Sequence, residues 1–197
     1  MESLTDQLNL TIKSLRPCQT RVTNIDGNSW MEVKNEKIKE CAALCPGFVV
    51  DVKPDLSVNR ILDRLILGSQ DLAQDLEILS SCRITHILNA SVGIPNLFEG
   101  WFTYLKKNAL DNPEFPLIDM FDECCDFIHF AILSGGCVLV HCNAGVSRSA
   151  SIVIAYLMKY NSMTFDNAFE FVKQKRSFIK PNEGFVRQLK EYEQRIL

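Results

Sequence analysis

His141-Cys142-Asn143-Ala144-Gly145-Val146-Ser147-Arg148-Ser149 lies between a strand-like run, Cys137-Val138-Leu139-Val140, and a strongly apolar, helix-like one, Ala150 to Met158. The order strand, loop, helix matters because a helix start offers several unpaired backbone N–H groups. A loop folded over them makes an anion cradle. Cys142 and Arg148 stand at the two ends of this loop. Amide dipoles and a guanidinium both favour a thiolate over a thiol, so the stretch reads as a site that holds a phosphate dianion and attacks it with sulfur.

Working outward, short apolar runs alternate with helical patterns. Arg60 to Leu67 predicts a strand ending at Gly68, and Asp71 to Ser80 a helix with Leu72, Leu76 and Leu79 on one face. Ile84 to Asn89 predicts a strand, and Phe102 to Leu110 contains another. The spacing of Cys124, Cys125, Ile128 and Ile132 predicts a helix from about Phe121 to Leu133, stopped by Gly135-Gly136 before the strand Cys137 to His141. Helices are expected over Ser149 to Tyr160, from Thr164 to about Lys175, and after Asn182, which reads as an N-cap. Strands alternating with helices imply an α/β fold: a central, mainly parallel sheet of four to five strands with helices on both faces. Ligands in such sheets sit at the carboxyl ends of strands, where the Cys142 loop would lie.

We place a boundary near residue 55, separating an N-terminal extension (1–54) from a catalytic domain (55–197). In the extension, Leu4, Leu8, Ile12 and Leu15 fall at helical spacing, and Asp26-Gly27 between Arg21–Ile25 and Asn28–Val33 suggests a hairpin. Residues 34 to 47 read as a linker or irregular arm.

With 21 basic against 24 acidic residues the formal charge is −3, which argues against nucleic acid or anionic membrane as partner. No apolar stretch approaches a bilayer span and the N-terminus lacks a signal-peptide core, so a soluble, cytoplasmic and also nuclear protein is expected. The eight cysteines form no CxxC pair and only three histidines accompany them. No metal site and no cofactor are therefore expected. Cys82, Cys124, Cys125 and Cys137 read as core residues.

Each candidate site residue has a chemical reason. Cys142 is the nucleophile. Arg148 can grip two phosphoryl oxygens in a bidentate fork, which lysine cannot copy. Gly145 lets the loop (Cys142, Asn143, Ala144, Gly145, Val146, Ser147, Arg148) turn its amides inward. Ser149 can donate its hydroxyl to the sulfur and ease departure of the thiolate. His141 orients the loop by hydrogen bonding. A leaving oxygen needs a proton, and Asp111, 31 positions before Cys142, is the candidate acid and then base, on a loop before Pro113. Asp119 and Asp122 adjoin a helix start and read as caps. Lys173, Lys175, Arg176 and Lys180 read as a solvated basic face that could dock an acidic partner.

The string His141 to Ser149 resembles the signature of the cysteine-dependent dual-specificity protein phosphatases. Further matches are Ile61 to Ser69, Ile84 to Asn89, Asp111, Ala155-Tyr156-Leu157-Met158 and Lys180 to Phe185, which together span about residues 55 to 197. Gly68-Ser69-Gln70-Asp71 and Thr20-Arg21-Val22-Thr23 look like a small atypical member linked to the stress-activated (Jun N-terminal) kinase pathway. The resemblance implies the tyrosine-phosphatase-like fold without a separate kinase-docking domain. It also implies a pocket shallow enough for phosphotyrosine and phosphoserine or phosphothreonine, phosphorylated proteins of the MAP kinase pathway as partners, and catalysis at Cys142, Arg148 and Asp111. None of the three is replaced, unlike in a pseudophosphatase. Neutral residues at 143, 144, 146 and 147 speak against the phosphoinositide phosphatases, which carry lysine there. The alternative expectation is a scaffold or interaction protein of a kinase cascade with secondary catalysis.

Overall fold

The computed structural model describes residues 54–196 and the strand segments 19–23, 29–33 and 36–41. The chain divides into two compact units, Met1–Lys53 and Pro54–Leu197.

In the first unit, β1 (Gln19–Thr23), β2 (Ser29–Val33) and β3 (Glu36–Cys41) form an antiparallel sheet in that order. The hairpin suggested by Asp26-Gly27 is therefore present in its two strands. The expected helix through Leu4 to Leu15 lies outside the described residues. Within the stretch 34–47, read as a linker or irregular arm, residues Glu36–Cys41 form β3, and the others lie outside the described residues. The Glu-Lys-Ile-Lys-Glu-Cys run of β3 lacks apolar alternation, but an edge strand tolerates charge, and the register sets Lys37 opposite Glu32.

The second unit carries a five-stranded sheet in the order β4-β5-β8-β6-β7. Its strands are β4 (Asn59–Leu62), β5 (Leu65–Gly68), β6 (His86–Asn89), β7 (Thr103–Lys106) and β8 (Val138–His141). The pairs β5–β8, β8–β6 and β6–β7 are parallel, and β4 is an antiparallel edge. The single strand expected over Arg60 to Leu67 is thus two, because the polar pair Asp63-Arg64 makes a tight turn inside an otherwise apolar run. The helix expected over Asp71 to Ser80 is likewise split into α1 (Gln70–Ala73) and α2 (Leu76–Ser81). Ser69 caps the first, and the Asp75 carboxylate accepts from the Ile78 amide to start the second.

The remaining helices lie close to their expected places: α3 (Phe121–Leu133), α4 (Arg148–Asn161), α5 (Phe165–Lys175) and α6 (Glu183–Ile196). A 3₁₀ turn, Leu117–Met120, leads into α3, whose N-cap is Met120. Asp119 and Asp122 are therefore not caps. Asp122 instead accepts from Lys159 and the Tyr192 hydroxyl, both at 2.7 Å, tying α3 to α4 and α6.

Strand alternation sorts the core. Leu65, Leu67, Leu88, Val138 and Val140 face α3–α6, with Phe121, Ile128, Ile154 and Phe185 among their neighbours. Ile66, Ile87 and Leu139 face the other way, onto Leu72 and Leu79 of α1 and α2. A strand buried on both sides must be apolar at every position, which is why Val138-Leu139-Val140 shows no period-two pattern. The strand ends on His141, and the loop that follows emerges at the carboxyl edge of the sheet.

Candidate active site

Residues 142–147 connect the end of β8 to the start of α4. Their carbonyl oxygens all face away from the loop centre into partners. Asn143 O accepts from Gln70 N (2.8 Å), Val146 O from Lys180 N (2.9 Å) and Ser147 O from Ser151 N (2.9 Å). Ala144 O and Gly145 O accept from Arg176 Nη2 (2.8 Å) and Nε (2.9 Å). The N–H groups of residues 143–147 donate to nothing among the described residues. Since a peptide unit's N–H and C=O point opposite ways, outward carbonyls leave a ring of inward amides at a helix N-terminus, the arrangement an oxyanion requires. Gly145 is needed for this turn. Its φ is +65°, and a Cβ there would come within 2.4 Å of Gly68 O.

Cys142 lies at the base of this ring, 1% exposed. The buried Ser149 hydroxyl donates to its sulfur at 3.1 Å. His141 Nδ1 donates to the Cys142 carbonyl at 3.1 Å, and burial pushes its imidazole down to about 4, so the ring is neutral at pH 7. The one hydrogen bond of its side chain among the described residues is to backbone.

Arg148 opens α4. Its Nη1 donates to Ser91 Oγ (2.8 Å) and to Ala109 O (3.2 Å), fixing the plane of the guanidinium. Its Nε is buried without a hydrogen-bond partner. Asp111 Oδ2 lies 3.4 Å from it, an electrostatic contact outside hydrogen-bond geometry. An unpaired buried N–H costs about 1–3 kcal/mol, a cost that a bound phosphoryl oxygen would relieve.

Asp111 follows β7 on an exposed loop at the mouth of the ring. Ser147 Oγ (2.8 Å) and Asn182 Nδ2 (2.9 Å) both donate to its Oδ1, which leaves Oδ2 turned toward Arg148. Asn182 also caps α6, accepting from Phe185 N at 3.0 Å. It is both the expected N-cap and a holder of Asp111. The loop is drawn in by Gly184, where a Cβ would lie 1.9 Å from Pro113 O. The structure thus brings Cys142, Arg148, Asp111, Ser149 and His141 to one end of the sheet.

A family model described as "Dual specificity phosphatase, catalytic domain" matches residues 65–195. The chain belongs to this family.

The phosphatase is 44% identical to mouse dual specificity protein phosphatase 19 over 91% of its own length and 84% of that protein's. It is 46% identical to human dual specificity protein phosphatase 2 over 70% of its length, but spans only 44% of that relative. Among solved structures, human tyrosine phosphatase-like serine/threonine/tyrosine-interacting protein superposes with a TM-score of 0.66 at 40% identity, covering 70% of this chain and 95% of that one. Human DUSP28 gives 0.68 at 32% identity, covering 73% and 95%. Dual-specificity protein phosphatases act on phosphorylated proteins, which are accordingly the substrate class of this enzyme.

Sequence reasoning missed the frame of the phosphatase site. Arg176 reads as part of a solvated basic face with Lys173, Lys175 and Lys180, yet it is 1% exposed. Besides the two loop carbonyls it donates to Asn59 Oδ1 and pairs with the Asp55 carboxylate, and its guanidinium stacks 4.2 Å from the Phe178 ring centre. The three lysines are exposed, as expected. The signal was the missing apolar partner: Arg176 sits beyond the last turn of an amphipathic helix, where composition alone cannot separate a buried cation from a solvated one. Ser91 and Ala109, which orient Arg148, carry no motif at all.

Proposed function

We propose that the enzyme hydrolyses phosphotyrosine and phosphoserine or phosphothreonine on proteins through a phosphocysteine intermediate. The ring of inward amides around Cys142 carries this reading, because it supplies donors where the equatorial oxygens of a phosphoryl group develop charge. Arg148, with Nη1 anchored on Ser91 and Nε unpaired, adds the fixed cation.

In the first step the Cys142 thiolate attacks phosphorus. The S–P bond forms as the ester P–O bond breaks, and Asp111 passes its proton to the leaving oxygen. Ser147 and Asn182 hold Oδ1, so Oδ2 is the oxygen that carries the proton. In the second step water attacks phosphorus and gives its proton to the Asp111 carboxylate. The P–S bond breaks, inorganic phosphate leaves, and the Ser149 hydroxyl stabilises the sulfur anion.

The further reading, that the substrates are kinases of the stress-activated MAP kinase pathway met in the cytoplasm and nucleus, is supported by the resemblance to a small atypical member of the family, by the near-balanced charge and by the neutral residues at 143, 144, 146 and 147 of the loop. The test of the chemistry is turnover of a small aryl phosphate with a chelator present. Orthovanadate should inhibit, and Cys142→Ser should abolish turnover while retaining phosphorylated kinase in a pulldown. Turnover by Cys142→Ser would overturn the mechanism, and capture of no MAP kinase pathway protein would overturn the pathway.

A further inference from the structure

The opposite end of the sheet carries a second concentration of positive charge. A surface cleft of about 620 Å³ opens where β5, β6 and β8 begin, and Arg60, Arg64 and Arg83 line it, with Thr85 and Asp63. A cleft of this size lies within the range of small-ligand and side-chain sites. Asp63 is the single carboxylate lining it. Among the described residues none of the three arginines is in an ion pair, in a chain whose net charge is −3.

Little of their donor capacity is used. Arg60 gives one N–H to Asp63 O (3.1 Å), and Arg64 gives one to Gly135 O. Arg83 makes no side-chain hydrogen bond among the described residues. A guanidinium has five N–H donors in a planar fork, so most remain for a ligand. Arg83 is the left-handed residue just past the end of α2 (φ +56°), where Arg83 N donates to Ser80 O and Ile84 N to Leu79 O, and this helix-ending turn sets its side chain along the cleft.

We propose that this cleft binds a phosphoryl group on a peptide segment, at a site separate from the Cys142 loop. Arginine forks match phosphate oxygens bidentately, and their convergence in one cleft is the arrangement that reads phosphorylated segments. The cysteine loop lies at the carboxyl ends of the same strands. A protein bearing more than one phosphorylated residue could therefore be held at one end while it is processed at the other. The binding claim does not depend on turnover at Cys142.

The test uses the full chain carrying Arg148→Met, which weakens phosphate binding at the catalytic loop by removing its cation. A short peptide with one phosphoserine should bind it, the unphosphorylated peptide should not, and amide resonances of Arg83, Thr85 and Gly135 should shift. Adding Arg83→Gln should weaken binding about tenfold, and Arg64→Gln with Arg83→Gln should remove it. In the otherwise native chain, Arg83→Gln should leave aryl phosphate turnover unchanged. Binding insensitive to both substitutions, shifts confined to residues 142–149, or association only with phosphatidylserine vesicles would each overturn the proposal.

Discussion

The guanidinium of Arg176 joins the catalytic loop to the Asp55 carboxylate, 121 positions earlier in the chain. One buried side chain thereby fixes Ala144 O and Gly145 O on one side and the entry strand of the domain, through Asp55 and Asn59, on the other. The amides of the loop point inward because its carbonyls are held outward, and Arg176 holds two of them.

Replacing Arg176 by methionine should therefore act on both stability and rate. Two carbonyls and a carboxylate lose their partner, which should cost about 3 kcal/mol or more in urea unfolding. A loop displaced by an ångström should lower kcat/KM for an aryl phosphate about 10²-fold. An Arg176→Met enzyme with native turnover and a native urea midpoint would show that the loop holds its shape without the clamp.

Asp55 gives this clamp a pH dependence. Burial raises its pKa, but the hydrogen bonds from Ser57 and Arg176 outweigh that, and the net shift is downward. A depressed carboxylate pKa means stability present above the unfolded value and lost as pH falls through the folded one. Asp55→Asn should flatten that acid limb of the stability curve. An unchanged slope below the ordinary carboxylate range would detach Asp55 from it.

His141 titrates in the other sense. Its folded pKa of about 4 lies below the ordinary histidine value because burial disfavours the charged ring. The unfolded chain binds the proton first, so stability is complete above about 6.5 and declines as pH falls toward 4, by roughly 3 kcal/mol in all. His141→Asn should remove that decline, measured by urea unfolding between the two pH limits.

Asp111→Asn should lower kcat about 10²–10⁴-fold, most for poor leaving groups, and delete one limb of the pH–rate profile. Asn182→Ala removes one of the two donors to Oδ1 of Asp111, leaving Ser147, and uncaps α6. It should cost about 1 kcal/mol of stability, with a milder loss in kcat. A pH–rate profile identical to that of the native enzyme in Asp111→Asn would reassign the acid.

Ser149→Ala removes the hydroxyl that donates to Cys142 Sγ. Hydrolysis of the phosphocysteine should slow about tenfold to a hundredfold, as expected for a hydrogen bond to a charged group. Rapid-quench measurements should then show a burst of released phenol, and a uniform slowing without a burst would place the effect in the first step.

Much of this was legible in the residues. The strand–loop–helix order around Cys142, the spacing of Cys142 and Arg148, and the helices α3 to α6 follow from local patterns that do not depend on distant neighbours. Where local reading failed, the reason was also local. Asp63-Arg64 turned a run that reads as one strand into two, and Asp75 split a run that reads as one helix, because a polar pair inside an apolar segment has no periodicity of its own. Asp111 was found from its place before Pro113, but which of its oxygens is free was set by Ser147 and Asn182. Arg176, Asp55 and Ser91 became part of the site only through folding. The sequence determined which reactive groups are available, a thiol, a guanidinium and a carboxyl, while burial and neighbouring dipoles set how reactive each one is. Tertiary structure alone decided their orientation, because the partners that aim them lie on other strands and helices and no spacing along the chain encodes those contacts.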